Sequence, residues 1–216
     1  MEEVFQLKQV LRELVGAKAL GPSPSFSAVH VLKALELIAE KPVGRNRLSK
    51  DLALGQGATR TLIERLKEKD LISVDRAGCI LSKRGERVWR ALRKVFPRKI
   101  VLRQSGLTVG RFNVAILVKN CGGRVRFGLE QRDAALMSGA EGATTLVFRD
   151  GKLAVPPEQR DVAEDFPRIY EELVNVLKPR ENDVIIIGSA DSPDKAEYGA
   201  LAAMLTLLNN YSVVKW

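Results

Sequence analysis

The chain holds one histidine, two cysteines and two tryptophans in 216 residues, and aromatic side chains make up only 6% of it. Cys79 and Cys121 stand far apart, without a CxxC pair or a neighbouring histidine, which suggests neither a disulfide framework nor a zinc site. His30 falls in the first turn of an expected helix with no cysteine or acidic ligand set beside it, so its expected role is packing or surface. A chain with one histidine has few routes to Ser-His or metal chemistry, and no enzyme activity, metal or cofactor is expected. No apolar run approaches the roughly 20 residues that span a bilayer, so no membrane partner is expected. The start, Met1-Glu2-Glu3-Val4-Phe5-Gln6-Leu7-Lys8, is acidic and then amphipathic, unlike a secretory leader. A reducing cytoplasm is the expected location.

Positive charge is plentiful and unevenly placed. The net charge is +9, and residues 1–99 carry 21 Lys/Arg against 11 Asp/Glu, whereas residues 100–216 carry 14 against 15. That asymmetry points to a polyanionic partner for one domain and not for the other.

Periodicity divides the chain at about Pro97, into residues 1–97 and 98–216. In the first part Val4, Leu7, Leu11 and Leu14 mark a short amphipathic helix, and Gly21-Pro22-Ser23-Pro24-Ser25 reads as a connector. Ser27 is the expected cap of a second helix reaching about Glu40, and a third starts near Arg45 with Leu48 and Leu52 inward. A fourth, from Ala58 to Asp70, buries Leu62, Ile63 and Leu66 and leaves Arg60, Thr61, Glu64, Arg65, Lys67 and Glu68 for solvent or a partner. Two short strands flank Arg76-Ala77-Gly78, and Ser82 caps a fifth helix.

Beyond Pro97 strands are expected at Arg111–Lys119, along the alternating Val125, Phe127 and Leu129, at Thr144–Arg149, at Leu153–Val155 and at Asp183–Gly188. Helices are expected around Gln131–Met137, from Pro167 and from Ser192-Pro193, with a final strand at Ser212-Val213-Val214. The expected fold is α+β in two domains: an N-terminal winged helix-turn-helix and a C-terminal α/β sandwich.

The order helix, helix, helix, strand, basic turn, strand, helix carries the functional expectation. A helix presented by a tight turn fits the DNA major groove, where each base pair shows a distinct donor and acceptor pattern. Gln56, Gly57, Arg60 and Thr61 stand at the start of such a helix, with Glu64 and Arg65 one turn on. Arg pairs bidentately with guanine, Gln with adenine, and a carboxylate accepts from cytosine. Arg76, at the hairpin tip, is expected in the minor groove or on phosphate, and Arg45, Arg47, Lys83 and Arg84 flank helix starts where they position rather than read. Gly55-Gln56-Gly57 lacks the third glycine of a dinucleotide fingerprint.

The segments Arg47-Leu48-Ser49-Lys50-Asp51-Leu52, Thr61 through Ile72 and Leu81-Ser82-Lys83-Arg84-Gly85 closely resemble bacterial and archaeal winged-helix transcriptional regulators. The whole chain also resembles an archaeal family pairing such a domain with a C-terminal domain of unknown function. The resemblance covers about a third of the chain at motif level and implies regulation without supplying a ligand. Gln56-Gly57-Ala58 departs from it where many relatives carry a Ser or Thr cap, so Gly57 or the backbone is expected to cap here.

The resulting expectation is a one-component regulator that binds double-stranded DNA as a homodimer, its second domain sensing a small-molecule effector or mediating assembly. An architectural or RNA-associated basic protein, and an enzyme domain localised by a winged helix, stay open beside it. In the second domain Gly188, Ser189 and Asp191 follow a buried strand and precede a helix, a place for an anion, and Arg111 and Asn113 begin another strand.

Overall fold

The computed structural model describes residues 2–16, 24–157 and 160–208. They form a mixed helix and sheet protein in two compact units that divide between Leu92 and Arg93. The side chains of Val4 and Leu7, Gly21–Ser23 of the connector, and the strand expected at Ser212–Val214 lie outside the described residues.

The first unit runs α1 (Glu2–Val15), α2 (Ala28–Glu40), α3 (Arg45–Asp51), α4 (Gln56–Glu68), β1 (Ile72–Asp75), β2 (Gly78–Leu81) and then α5 (Lys83–Val95), which crosses the division. Its core is aliphatic: Leu14, Leu32, Leu35, Leu48, Leu52, Leu62, Leu66 and Leu71 are fully buried. The spacing of those leucines on α2 and α4 gives each helix one apolar stripe, and removing the stripes from water is what holds the unit together.

Ser27 precedes α2, where its backbone N–H donates to His30 Nδ1 at 3.0 Å. Only an imidazole unprotonated at that nitrogen can accept, and burial holds the His30 pKa below its ordinary value. The unfolded chain therefore takes up the proton first as pH falls below about 6.5. The stability that neutral His30 contributes is present above that pH and is lost as pH falls through the folded-state value. Between about pH 7 and pH 5 the wild-type melting temperature should fall further than that of His30→Gln, which keeps an acceptor at this position without titrating. Parallel falls in the two proteins would remove this role.

The second unit is built on one five-stranded sheet in the order β3-β4-β7-β5-β6, comprising β3 (Arg98–Leu102), β4 (Phe112–Val118), β5 (Gly142–Arg149), β6 (Lys152–Ala154) and β7 (Val184–Ala190). Every neighbouring pair is antiparallel. The helices are α6 (Leu129–Met137), α7 (Val162–Asp165), α8 (Pro167–Leu177) and α9 (Pro193–Leu208).

On one face Ala115, Leu117, Leu146, Ile185 and Ile187 pack with Val162, Ile169, Leu173 and Leu177 of α7 and α8. The alternate residues Val114, Ile116, Val118, Val184 and Ile186 are also buried, on the face that carries α9. Covering both faces explains why β4 and β7 read as unbroken apolar runs rather than as alternations. Immediately before β7, buried Asp183 is held by Lys119 Nζ at 2.5 Å and by the backbone N–H groups of Asn120 and Arg180 at 2.9 and 2.8 Å. A buried carboxylate needs that degree of compensation.

Two expectations for this unit are corrected. Val125, Phe127 and Leu129 form no strand: Gly122–Arg124 is a single turn of 3₁₀ helix, Gly128 adopts φ +73° and α6 starts at Leu129. The alternation came from apolar residues that face solvent, Phe127 and Leu129 both being at least half exposed. The strand β3 lies where no element was expected, because a short edge strand beginning Arg98-Lys99 carries the charges that protect an edge and hides its periodicity. No helix among the described residues is long and apolar enough to cross a membrane.

Candidate nucleic-acid interface

Two short helices open without side-chain caps. Gly44 precedes α3 and Gly55 precedes α4, both in extended backbone. The cap of α4 is thus Gly55 and not Gly57, which lies inside the helix. Thr59 is buried and donates its hydroxyl to Gly55 O at 3.0 Å, while Leu62 and Leu66 continue the inward stripe. That stripe fixes the outward side, so Gln56, Gly57, Arg60 and Glu64 are exposed and Thr61 is half-buried, with its hydroxyl donated to Gly57 O at 3.1 Å.

Arg60 Nε lies 2.9 Å from Glu64 Oε1, with both side chains more than half exposed. On α3, Arg47 Nε similarly meets Asp51 Oδ2 at 2.6 Å, and Arg45 is exposed at the helix start. An exposed i,i+4 pair is worth only about 0.3–0.5 kcal/mol, so neither arginine is locked against a stronger anion.

The hairpin is anchored at its base. β1 and β2 pair from Ile72↔Leu81 to Asp75↔Gly78, leaving Arg76 and Ala77 as a two-residue tip. Asp75 Oδ1 accepts from the N–H groups of Ala77 and Gly78 at 2.7 and 3.2 Å, which closes the turn. Val43 and Cys79 exchange two backbone hydrogen bonds of 3.1 and 2.8 Å, adding a third rung from the segment between α2 and α3. Gly78 is required there: it adopts φ +125°, and a Cβ would lie 2.6 Å from the Val43 carbonyl carbon. This one-residue bridge has no periodicity, and sequence reading missed it. Arg76 is exposed at the tip.

At the start of α5, Ser82 Oγ accepts the Gly85 N–H at 3.0 Å, and Lys83 and Arg84 are exposed. Glu13 pairs with Lys69, just past the end of α4, and that contact holds the Glu13 carboxyl below its ordinary value, with Gln9 and Arg84 adding to the effect. Ser82, two residues before Arg84, donates its hydroxyl to Asp70 O, which puts the start of α5 near the C-terminal end of α4, away from Gln56 and Arg60 at its beginning.

Arg65 is the main correction in this unit. Expected at the partner-facing surface, it is only 7% exposed. Its Nη1 donates to Leu14 O at 2.6 Å and to Gly16 O at 2.7 Å, and its guanidinium lies 5.7 Å from the Phe26 ring centroid. It anchors the end of α1 and is not available to DNA. Position 65 borders the Leu62/Leu66 stripe, but its partners stand about fifty positions earlier in the chain, and no local pattern announces them.

In the second unit the residues expected to hold an anion are mostly engaged in structure. Gly188 and Ser189 lie within β7 and not in a loop. Asn113 and Ser189 face each other in register, both fully buried, with Ser189 Oγ donating to Asn113 Oδ1 at 2.7 Å and Asn113 Nδ2 donating to Gly110 O at 3.1 Å. Gly188 is needed for helix packing, since a Cβ there would come within 2.3 Å of Ala196 O and 2.4 Å of Ala200 N on α9. Asp191 is exposed and pairs with Lys195 at 2.9 Å, and Arg111 lies over the Phe112 ring at 5.3 Å. Cys79 and Cys121 are free and buried, and burial pushes both thiols up, which makes them poor nucleophiles near neutral pH.

Residues 30–87 match the family described as PH0730-like, N-terminal domain, and residues 109–207 match a domain of unknown function, DUF4443. The two matches follow one another along the chain, the PH0730-like segment first and DUF4443 second. The chain is similar in structure to the hypothetical protein PH0730 from Pyrococcus horikoshii OT3, with a TM-score of 0.68 and 28% identity over 85% of this chain and 93% of that one. No curated protein matches it. The first matched segment spans most of α2, then α3, α4, the hairpin and the start of α5, and the second spans β4 to α9 almost entirely.

Proposed function

We propose that the first unit is a winged helix-turn-helix domain that binds duplex DNA, with α4 entering the major groove and the β1–β2 hairpin acting as the wing. The observation that carries this reading is the exposed polar face at the start of α4, with Gln56, Arg60 and Glu64 all turned outward, together with the hairpin that follows α4 in the chain and carries exposed Arg76 at its tip. A surplus of 14 Lys/Arg over 6 Asp/Glu between Arg45 and Lys94 supports it, being more than intrahelical pairing uses. Gln56 and Arg60 read base edges in this account, Arg76 enters the minor groove or meets phosphate, and Arg45, Arg47, Lys83 and Arg84 fix register on the backbone. The protein acts as a homodimer on a two-fold site, in the cytoplasm, and regulates transcription. The second unit senses a small molecule or mediates assembly, so that an effector shifts the spacing of the two α4 helices by binding one arrangement more tightly.

Arg60→Ala tests the reading. It should weaken binding to preferred sites by about 1–3 kcal/mol and binding to random duplex by much less. Equal losses on both would remove Arg60 from base reading. Arg76→Ala should instead lower affinity for all sequences and flatten the salt dependence.

One observation favours a second reading. Arg60 and Arg47 are each paired with a carboxylate on their own helix. A protein that tracks nucleic-acid backbones without reading bases needs neither arginine free, and such an architectural or RNA-associated protein would bind with steep salt dependence and no sequence preference.

A further inference from the structure

At the edge of the sheet, β5 and β6 end in the hairpin Asp150-Gly151, with Arg149 opposite Lys152 and Val147 opposite Ala154. Those four residues share one face of the strand pair. The turn at Gly122–Arg124 lies over that face, so close that a Cβ on Gly122 would fall 2.9 Å from Val147 Cγ1. Between the turn and the strands is a cleft of about 340 Å³, lined by Val125, Arg126, Val147, Arg149, Asp150, Lys152, Ala154, Pro156 and Pro157 as well as Gly122. That volume falls in the range of small-molecule sites, roughly 300–1,000 Å³.

The charge at this cleft is unusual for its surroundings. The chain from residue 100 onward is nearly balanced, and several of its exposed cations are matched: Arg132 with Asp133, Arg160 with Glu164 and Asp165, and Lys195 with Asp191. Arg126, Arg149 and Lys152 meet no carboxylate among the described residues. Asp150 is the one acidic residue of the lining, and the nearby Glu181 carboxylate is engaged by the Asp150 backbone N–H at 3.0 Å. Two guanidinium forks and an ammonium thus border a cleft whose inner wall, formed by Val125, Val147, Ala154 and Pro156, is apolar.

We propose that this cleft is the ligand site of the second unit and takes a small phosphate monoester with an apolar or ring-shaped body. A phosphate dianion presents three equivalent oxygens to three cationic donors, and guanidinium binds it bidentately, whereas a monocarboxylate offers two oxygens and half the charge. The apolar wall accepts the body of the ligand. The assignment deepens the reading of the second unit as an effector module and is independent of duplex binding by the first.

The test is calorimetric titration of the full chain with phenyl phosphate, and separately with benzoate, in about 0.15 M salt and without DNA. Phenyl phosphate should bind saturably below about 10 mM, and Arg126→Ala/Arg149→Ala should weaken it by about tenfold or more with an unchanged melting temperature. Arg60→Ala/Arg76→Ala, which removes cations from the first unit, should leave it unaltered. No saturable binding, a smaller loss in the cleft variant, a loss in the Arg60/Arg76 variant, or benzoate binding as tightly as phenyl phosphate would each overturn the proposal. Because no DNA is present, such a failure leaves the duplex-binding reading standing, and a protein that ignores DNA can still pass.

Discussion

Gly85→Ala is expected to destabilise the folded state of the first unit strongly, although in an ordinary helix the same change is stabilising. Alanine is favoured over glycine in a helix interior by about 1 kcal/mol. At Gly85 the added Cβ would lie 1.9 Å from the carbonyl oxygen of Leu71 and 2.9 Å from its carbonyl carbon, closer than non-bonded atoms approach. That carbonyl cannot swing aside at small cost: it accepts the Ser82 N–H at 3.0 Å, Leu71 is fully buried, and Ser82 also donates its hydroxyl to Asp70 O while capping α5 at Gly85. Overpacking a core costs about 1–3 kcal/mol and more where backbone must move, and here backbone meets backbone. The collision therefore exceeds the propensity gain, and the net destabilisation should be about 3 kcal/mol, a large fraction of what a small domain has. Hydrogen exchange resolved by peptide checks it: protection in α2 and α4 should fall by about a hundredfold or more. Gly57→Ala is the control, because nothing lies within 4 Å of a Cβ there, and it should match or exceed the wild type in stability. Unchanged protection in Gly85→Ala would show that the approach of α5 to Leu71 is wrong.

Arg65→Ala carries the second large effect, and it concerns folding where the position suggests recognition. Removing the guanidinium leaves Leu14 O and Gly16 O without their donor, and the buried Leu14 acceptor stripped of its partner costs about 1–3 kcal/mol. Loss of the cation–π contact with Phe26 adds to that cost. The summed destabilisation should be about 3 kcal/mol, read as a drop in the denaturation midpoint. Arg65→Lys keeps the charge but not the guanidinium that faces the Phe26 ring and reaches both carbonyls through Nη1, and should recover only part of the loss. A surface arginine would behave otherwise, with Arg65→Ala staying within about 0.5 kcal/mol of the wild type. That outcome would return Arg65 to the outward face of α4.

What could be read from the sequence follows the range of the interactions. Ser27 and Ser82 were legible as caps because a cap acts within three residues. The runs Val114–Val118 and Val184–Ile187 were legible as strands because covering both faces of a sheet leaves an apolar run with no polar interruption. The outward face of α4 followed from the leucine stripe on its other side. Distant partners left no trace in local sequence. Arg65 is defined by carbonyls about fifty positions away, Gly188 by the backbone of α9, and the Val43–Cys79 rung by a strand one residue long. Gly188-Ser189 resembled a loop because glycine followed by serine commonly ends a strand, yet pairing with both β4 and β5 carries β7 on to Ala190. The cations at the cleft were hidden for a related reason: Arg149 and Lys152 flank one hairpin turn, but Arg126 comes from a separate segment, and only the turn lying over the β5–β6 pair places it with them.

The central claim is that the first unit reads duplex DNA through α4. Its most direct test is selection of genomic fragments by the purified full chain at about 0.15 M salt, where a specific regulator binds roughly a thousandfold or more above background. The account predicts enrichment of a few fragments sharing a two-fold motif whose half-sites lie about one helical turn apart, and loss of that enrichment in Arg60→Ala. Uniform, weak retention of all fragments, unaltered by Arg60→Ala, would contradict it.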